Sequence, residues 1–130
     1  LHHLTRRQRQ MCIRDSLQTH DPSRVMIFDE VDTGISGRVA EMVGQKLRNL
    51  GQQQQTLCVT HIPQIAAFSY SHYVVEKQID RDATYTVVRK TSTSEEKAQE
   101  IAQLIGGREI TEKTFSVAYE MLEQARSAAG

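Results

Sequence analysis

The chain is poor in cysteine, carries no excess charge of either sign and contains no long apolar run. Its two cysteines, Cys12 and Cys58, lie far apart and match no metal-ligand spacing, so we expect reduced thiols and a cytoplasmic location. Sixteen Lys and Arg residues balance sixteen Asp and Glu residues, so the net charge does not indicate a surface that coats nucleic acid or adheres to a membrane. Neither a transmembrane span nor a secretory signal pattern is present in the sequence, so no membrane partner is expected.

The first sixteen residues show no organised pattern. Residues 1–16 read LHHLTRRQRQMCIRDS, with four arginines and neither a helical nor a strand period. One interpretation is a basic arm that contacts phosphates. The other is a non-native or disordered tail, because MCIRDS resembles a peptide that translated sequencing adapters leave in metagenomic assemblies. We expect the tail, and assign residues 17–130 to one folded domain.

An apolar run that ends in two carboxylates opens the folded part. The residues from Val25 to Phe28 lead directly into Asp29-Glu30, which is typical of a buried parallel strand ending at the carboxyl edge of a sheet. A helix is predicted next, with Gly51 as its left-handed C-terminal stop. Its apolar face is expected to comprise Val39, Met42, Val43, Leu47 and Leu50.

The rest of the chain alternates between strand and helix patterns. A second buried strand runs from Thr56 to Thr60 and ends at His61, and Pro63 stands near the start of a helix that carries residues 65–68. Residues 72–77 and 84–89 predict an antiparallel hairpin with one wet face, in which Tyr73, Val75, Tyr85 and Val87 alternate with polar neighbours.

Two helices are predicted to close the chain. Thr93 and Glu96 match a capping box, and Thr111 is the expected cap of the last helix. Gly106-Gly107 should end the first of the two helices. The expected apolar residues are Ala98, Ile101, Ala102, Ile105, Phe115, Ala118, Tyr119 and Leu122. The whole order predicts an α/β fold with parallel strands at its centre and flanking helices, plus a β-hairpin and C-terminal helices.

Polar residues should converge where the two parallel strands end. In a right-handed crossover both carboxyl ends lie on one edge, so Asp29, Glu30 and His61 are expected to meet there. One carboxylate can hold Mg²⁺ and the next can orient or deprotonate a water. The less specific interpretation is an acidic turn and a hydrogen-bonding histidine after two core strands.

The segments VMIFDEVDTGISG and LCVTHIPQIAA, together with LIGGREIT at residues 104–111, resemble the RecN family of bacterial DNA repair proteins. This resemblance covers the chain from about Asp21 to its end and identifies it with a carboxyl-terminal ATPase lobe of the SMC/ABC-type P-loop ATPases. It implies a partial ATPase head that works in repair and recombination of DNA double-strand breaks. The location implied is cytoplasmic and nucleoid-associated.

The resemblance also implies a role for each matching residue. Asp29 would be the Walker B aspartate that holds Mg²⁺, and Glu30 the general base for hydrolysis of ATP. Asp32, Thr33 and Gly34 would form the D-loop of the nucleotide site, and His61 would be the switch histidine. The implied cofactors are Mg²⁺ and ATP in the complete head. The implied partners are a second head, the missing N-terminal lobe, and DNA through the parent protein.

Two motifs of such ATPases are absent from the sequence. No G-x-x-x-x-G-K-[ST] loop and no LSGG-like signature occur, and there is no heptad-repeat arm. Since the loop supplies the backbone cradle and lysine that grip phosphates, the chain alone is expected neither to bind ATP tightly nor to hydrolyse it at a useful rate.

Other functions stay open at this point. A haloacid-dehalogenase-like phosphatase places its second aspartate two residues after the first, whereas Asp29 and Asp32 are three apart. A transporter head typically reads DEP-x-S-x-LD after the same strand. The chain could also be a non-catalytic folded remnant or association module. Arg81, Arg89 and Lys90 form a candidate phosphate-contact patch, with a solvated face as the alternative.

Overall fold

The computed structural model describes residues 24–29 and 34–129, and this part of the chain contains four strands and four helices. In chain order they are β1 (Met26–Asp29), α1 (Gly37–Gly51), β2 (Thr56–Val59), α2 (Pro63–Ala66), β3 (Tyr73–Asp80), β4 (Ala83–Lys90), α3 (Ser94–Gly106) and α4 (Glu112–Ser127). The predicted mixed α/β order is confirmed. The tail predicted over residues 1–16 lies outside the described residues.

Strands β1 and β2 form the predicted parallel pair. Their register joins Met26 to Thr56 and Asp29 to Val59, and the Met26 N–H donates to the Gln55 carbonyl at 2.9 Å at the start of the pair. Helix α1 is the connection between them, as parallel strands require a crossover. The two strands therefore end side by side, at the same edge.

The expected burial of these strands is only half right. Met26 and Phe28 are half-buried, but Ile27 is 69% exposed, and its neighbours Leu57 and Val59 on β2 are 47% and 58% exposed. Continuous apolar runs belong to strands covered on both faces. Among the described residues no element covers the face formed by Ile27, Leu57 and Val59. These apolar side chains, which the sequence pattern predicts to be buried, are therefore in contact with solvent.

A glycine of α1 forms the contact between this helix and the segment that begins with α2. A Cβ at Gly44 would lie 2.5 Å from Phe68 Cδ2 and 3.2 Å from the Gln64 carbonyl oxygen, so the two segments touch backbone to side chain. Ala40 and Leu50 are buried on the same helix, whereas Val39 and Met42, predicted on the apolar face, are exposed. The face is therefore narrower than the sequence predicts.

The predicted left-handed stop at Gly51 is wrong. Gly51 is the last helical residue, and Gln52 after it is right-handed, with φ of −75°. The chain leaves the helix through a tightened turn, since the Gln53 N–H donates to the Leu50 carbonyl at 3.0 Å. This turn needs no residue with positive φ, and so it makes no demand for glycine.

Strands β3 and β4 form the predicted antiparallel hairpin, with Asp80 opposite Ala83. The connection has two residues, and Arg81 adopts φ of 52°, in the left-handed region that tight hairpins favour.

The expected face assignment is corrected by the register. Tyr73 and Val75 lie on the face of Val88, and all three are exposed, whereas Val87 lies opposite Glu76 on the face that is half-buried. Apolar and polar residues do alternate along each strand. The sequence of one strand, however, does not show which of its faces lies beside which face of the other strand, because that depends on the register.

Helices α3 and α4 make the largest apolar cluster. Ile101 is its largest fully buried side chain, and the segment around α2 completes it. The buried members are Ala66, Ala67, Phe68, Ala98, Ile101, Ala102, Ala118, Leu122 and Ala125. Most predicted apolar positions are confirmed, but Ile105 and Tyr119 are 38% and 37% exposed because they lie at the edges of their stripes.

The predicted ends of these helices are confirmed. Thr93 Oγ1 accepts from the Glu96 N–H at 3.1 Å, and the Glu96 carboxylate accepts from the Ser92 N–H at 2.6 Å. Thr111 Oγ1 accepts from the Thr114 N–H at 3.1 Å. Gly107 follows α3 with φ of 68°, a conformation that L side chains rarely adopt. Local signals were sufficient here because caps depend on near neighbours in sequence.

We predict that Gly44→Ala destabilises the chain by about 1–3 kcal/mol, because the added methyl must displace Phe68. Gly51→Ala is the matched control on the same helix, since a Cβ there meets nothing within 4 Å. Its expected effect is neutral or slightly stabilising. Urea unfolding of the three proteins measures both changes. Equal effects of the two substitutions would show that the contact with Phe68 is unimportant.

Candidate functional site

The carboxyl edge of the parallel pair brings two predicted site residues together. Asp29 is the last residue of β1 and pairs with Val59, and His61 follows Val59 by two residues. Neighbouring strands lie about 4.8 Å apart. Asp29 and His61 therefore stand at one edge of the sheet, and both are exposed to solvent.

The turn that carries His61 is fixed by its neighbours. Thr60 Oγ1 accepts a hydrogen bond from the Ile62 N–H at 3.0 Å, across His61. Pro63 then occupies the first helical position of α2, where a missing N–H costs nothing. A side chain–backbone bond on one side and a proline on the other limit the paths that the backbone of His61 can take.

The loop before α1 approaches the same segment. Gly34 has φ of 75°, and a Cβ there would meet nothing within 4 Å, so its glycine serves the backbone and not the packing. At Gly37 a Cβ would lie 3.3 Å from Gln64 Nε2. The start of α1 thus lies close to the helix that follows His61. Glu30, Asp32 and Thr33 lie outside the described residues.

The donor set at this edge suits a metal ion that takes few protein ligands. No group of three or more His, Cys, Asp or Glu residues within the described ranges could enclose an ion. Mg²⁺ is commonly held by one or two carboxylates together with waters and phosphate oxygens. An exposed aspartate at a strand end fits that demand, whereas a structural zinc or calcium site would need more protein ligands.

In the candidate phosphate-contact patch on the hairpin, Arg89 is already paired with two carboxylates. The Arg89 guanidinium bonds to the Glu76 carboxylate at 2.9 Å and to the nearly buried Glu100 carboxylate of α3. These bonds, the one to Glu100 first, raise the pKa of Arg89 above its ordinary value. Lys90 lies over the ring of Tyr73, 5.8 Å from its centroid. Arg89 therefore joins the hairpin to α3, and neither sequence interpretation describes it.

A second polar site was missed by the sequence analysis. Arg48 of α1, Lys97 of α3 and Arg126 of α4 line one cavity, which we call the basic pocket. Each stands in an amphipathic helix as one cation among many, and 29 or more residues separate them, so no local spacing unites them. A weak signal existed in the hydroxyl-rich run from Thr91 to Ser94, which was assigned only to helix capping.

The described helices were compared with the requirements for a membrane-spanning helix. Within the ranges that the structure describes, no helix combines the length and apolarity needed to cross a bilayer.

Three known proteins with sequences similar to this chain are all named DNA repair protein RecN. No family model matches the chain. The DNA repair protein RecN of Vibrio cholerae is 46% identical over 97 residues, which are 75% of this chain and 17% of that protein. For RecN of Xylella fastidiosa the identity is 45% over 104 residues, or 80% of this chain and 18% of the relative. For RecN of Halalkalibacterium halodurans it is 39% over 118 residues, or 90% and 20%.

The match covers most of this chain but only a small part of each relative. It takes in three quarters or more of this chain, yet the chain spans only about a fifth of the length of the curated relatives it matches. The resemblance inferred from the motifs is confirmed at this level. This chain is homologous to the carboxyl-terminal segment of the bacterial RecN proteins.

Proposed function

We propose that this chain is the part of a RecN-like ATPase head that supplies the hydrolytic residues to an ATP site, and that the complete protein acts in DNA repair. The observation that carries the proposal is the in-register parallel pairing of β1 with β2. This pairing puts the carboxylate of Asp29 and the imidazole of His61 at one sheet edge, where α/β folds bind ligands. The similarity to proteins named DNA repair protein RecN supports the cellular role.

The proposed division of labour follows chain order. Asp29 holds Mg²⁺, which when bound neutralises charge on the phosphate oxygens. Glu30, next in sequence, orients and deprotonates the attacking water. His61 stabilises charge on the terminal phosphate. Asp32, Thr33 and Gly34 face the nucleotide from the loop that begins α1.

The proposed partners complete the site. Phosphates must be gripped by a lobe that carries the P-loop, and a second head closes over the nucleotide near Gly34. The exposed apolar face of β1 and β2, formed by Ile27, Leu57 and Val59, is the surface on which we propose that the P-loop lobe packs. Its strands are as apolar as strands that are covered on both faces. DNA is engaged through the complete protein.

We predict that Glu30→Gln stalls ATP hydrolysis in a complete head. The test protein is a chimera in which residues 24–130 replace the matching segment of the Vibrio cholerae relative, itself assayed first for ATP turnover. The substitution should lower kcat by about 100-fold or more, because a general base is lost, and leave nucleotide binding intact. Asp29→Asn should in addition weaken Mg²⁺-dependent nucleotide binding. Turnover and binding of labelled ATP are measured separately.

The matched control is Glu95→Gln, which removes the same charge from an exposed position on α3. It should turn over ATP like the unmodified chimera. If Glu30→Gln also kept full turnover, Glu30 would not be the base. An inactive chimera beside an active relative would instead favour an association module over a catalytic segment.

A second prediction concerns the 130-residue chain by itself. It should show no saturable binding of Mg²⁺-ATP at micromolar concentrations, because it contains no P-loop. Equilibrium dialysis with and without Mg²⁺ measures this. Micromolar, Mg²⁺-dependent affinity would contradict the proposal that another lobe grips the phosphates.

A third prediction tests the packing surface. In the chain alone, Leu57→Thr should change the free energy of unfolding by less than about 0.5 kcal/mol, because the side chain is half-exposed and threonine suits a strand. In the chimera the same change should cost about 1–3 kcal/mol, because a leucine buried between lobes is lost. Denaturant unfolding of both pairs gives the comparison. Equal effects in the two contexts would show that the face stays exposed.

A further inference from the structure

The basic pocket is a cavity of about 260 Å³ between three helices. Arg48 enters it from α1, Lys97 from α3 and Arg126 from α4, and the turn after α2 forms another wall. No carboxylate is among its lining residues in the described chain. Three cationic side chains therefore share one concave space, and the one carboxylate paired with them among the described residues, that of Glu123 with Arg126, is not part of the lining.

Arg48 is held in place by a backbone carbonyl and an aromatic ring. One of its terminal nitrogens donates to the Phe68 carbonyl at 3.1 Å, and its guanidinium lies 4.3 Å from the centroid of the Tyr70 ring. Its Nε atom is buried and has no hydrogen-bond partner among the described residues. Buried donors are rarely left without a partner in native proteins. Because this Nε atom has almost no accessible surface, a ligand in the pocket would reach the guanidinium through its terminal nitrogens.

Lys97 is held by two backbone carbonyls and has a lowered pKa. Its ammonium donates to the Ser69 carbonyl at 2.5 Å and lies 3.4 Å from the Ala67 carbonyl, which leaves one of three donors for a ligand. Burial first, and then the charges of Arg48 and Arg126, lower the pKa of Lys97 from 10.5 to about 8. An anion in the pocket would reverse the electrostatic part of that effect.

Hydroxyl groups and a helix end complete the wall. Arg126 donates to Ser94 Oγ at 2.6 Å and also bonds to Glu123 at 2.9 Å from outside the cavity. Thr91, Ser92 and Thr93 add polar groups just before α3, and α3 directs its positive dipole end toward them. Fork-shaped guanidinium donors, a point charge and hydroxyls together form the donor set that recognises phosphate oxygens.

We propose that the basic pocket binds a phosphate group, supplied either by free phosphate or by a nucleic-acid strand. The cavity holds about nine water volumes at roughly 30 Å³ each and lies below the ~300 Å³ typical of sites for drug-sized ligands. It therefore has room for a phosphate group and part of its ester.

This site is separate from the carboxyl edge and independent of the proposed ATPase role. Arg48 stands eleven residues after Gly37 on α1, which at 1.5 Å per residue is about 16 Å along the helix. Failure of either proposal leaves the other intact, because no lining residue of the pocket belongs to the sheet edge.

The pocket should bind phosphate more weakly as pH rises through the pKa of Lys97. The groups facing Lys97 are Arg48 and Arg126, together with Tyr70 at the rim and Glu123 behind Arg126. On the side of α3 toward the hairpin, Glu100 and His72 complete the set; burial and then Lys97 itself lower the pKa of His72. Since the pKa of Lys97 is lowered to about 8, loss of its proton should weaken phosphate binding above that pH.

The test follows the Lys97 side chain by NMR. The chain is labelled with ¹³C at the lysine ε-carbons, and Lys97→Met identifies the signal of Lys97. Titrations with pH are recorded in inorganic phosphate and in chloride at equal ionic strength. We expect the pKa of Lys97 to rise from about 8 toward 10.5 in phosphate only. An unchanged pKa at the highest phosphate concentration would overturn the proposal.

Variants separate the pocket from general charge. Arg48→Met should weaken phosphate binding about tenfold or more, whereas Lys46→Met, an exposed change of the same charge on α1, should leave it unaltered. Ser94→Asp places a carboxylate beside Arg126 and should abolish binding while preserving helix stability, because acidic residues suit a first turn. If Ser94→Asp bound phosphate normally, or Lys46→Met lost it equally, the pocket would not be the site.

The source of the phosphate is decided by a second ligand. A short DNA duplex without terminal phosphates offers diesters only. A response of the Lys97 signal to this duplex, abolished by Ser94→Asp, would assign the pocket to a nucleic-acid backbone. A response to inorganic phosphate alone would assign it to a free phosphate.

Discussion

The close approach of Gly44 to Phe68 is the contact on which the rest of the described structure depends. Phe68 belongs to the apolar cluster of α3 and α4, and Gly44 lies in the helix that connects β1 to β2. The strand–helix–strand unit and the helical cluster are thus joined where one aromatic ring enters the space left by a missing side chain. Only glycine allows this distance, because any Cβ would overlap the ring.

The packing of α1 against the α2 segment also extends to the carboxyl edge. Helices α1 and α2 both begin there, and Gly37 lies beside Gln64 just as Gly44 lies beside Phe68. Two small residues seven apart, about two helical turns, keep α1 close to one segment along its length. The loop containing Gly34 and the turn containing His61 are therefore held by the same packing. A core substitution far from Asp29 can alter the site through this interface alone.

The sequence predicted well what near neighbours decide. The parallel pair, the hairpin, both threonine caps and the end of α3 at Gly106-Gly107 follow from local patterns, and the structure contains them. The exposure of Ile27 and the buried face of the hairpin depend on contacts between residues distant in the chain, and the expectations for both were wrong. The ending of α1 was also predicted wrongly, although the turn that ends this helix is local. Half of the candidate site, including Glu30, is still known only from the sequence.

Zero net charge conceals an uneven distribution along α1. Its first turn lies at the carboxyl edge, where we propose that Asp29 holds Mg²⁺, and its last turn carries Arg48, attracted by the negative end of the helix dipole. A carboxylate site and a cationic pocket can both serve phosphate chemistry, the first through a metal ion and the second directly. Overall composition does not indicate a surface that binds polyanions everywhere. The zero net charge of the chain says nothing about a single cavity. In the basic pocket, three cationic side chains from three helices set a positive local charge, which acidic residues elsewhere in the chain balance.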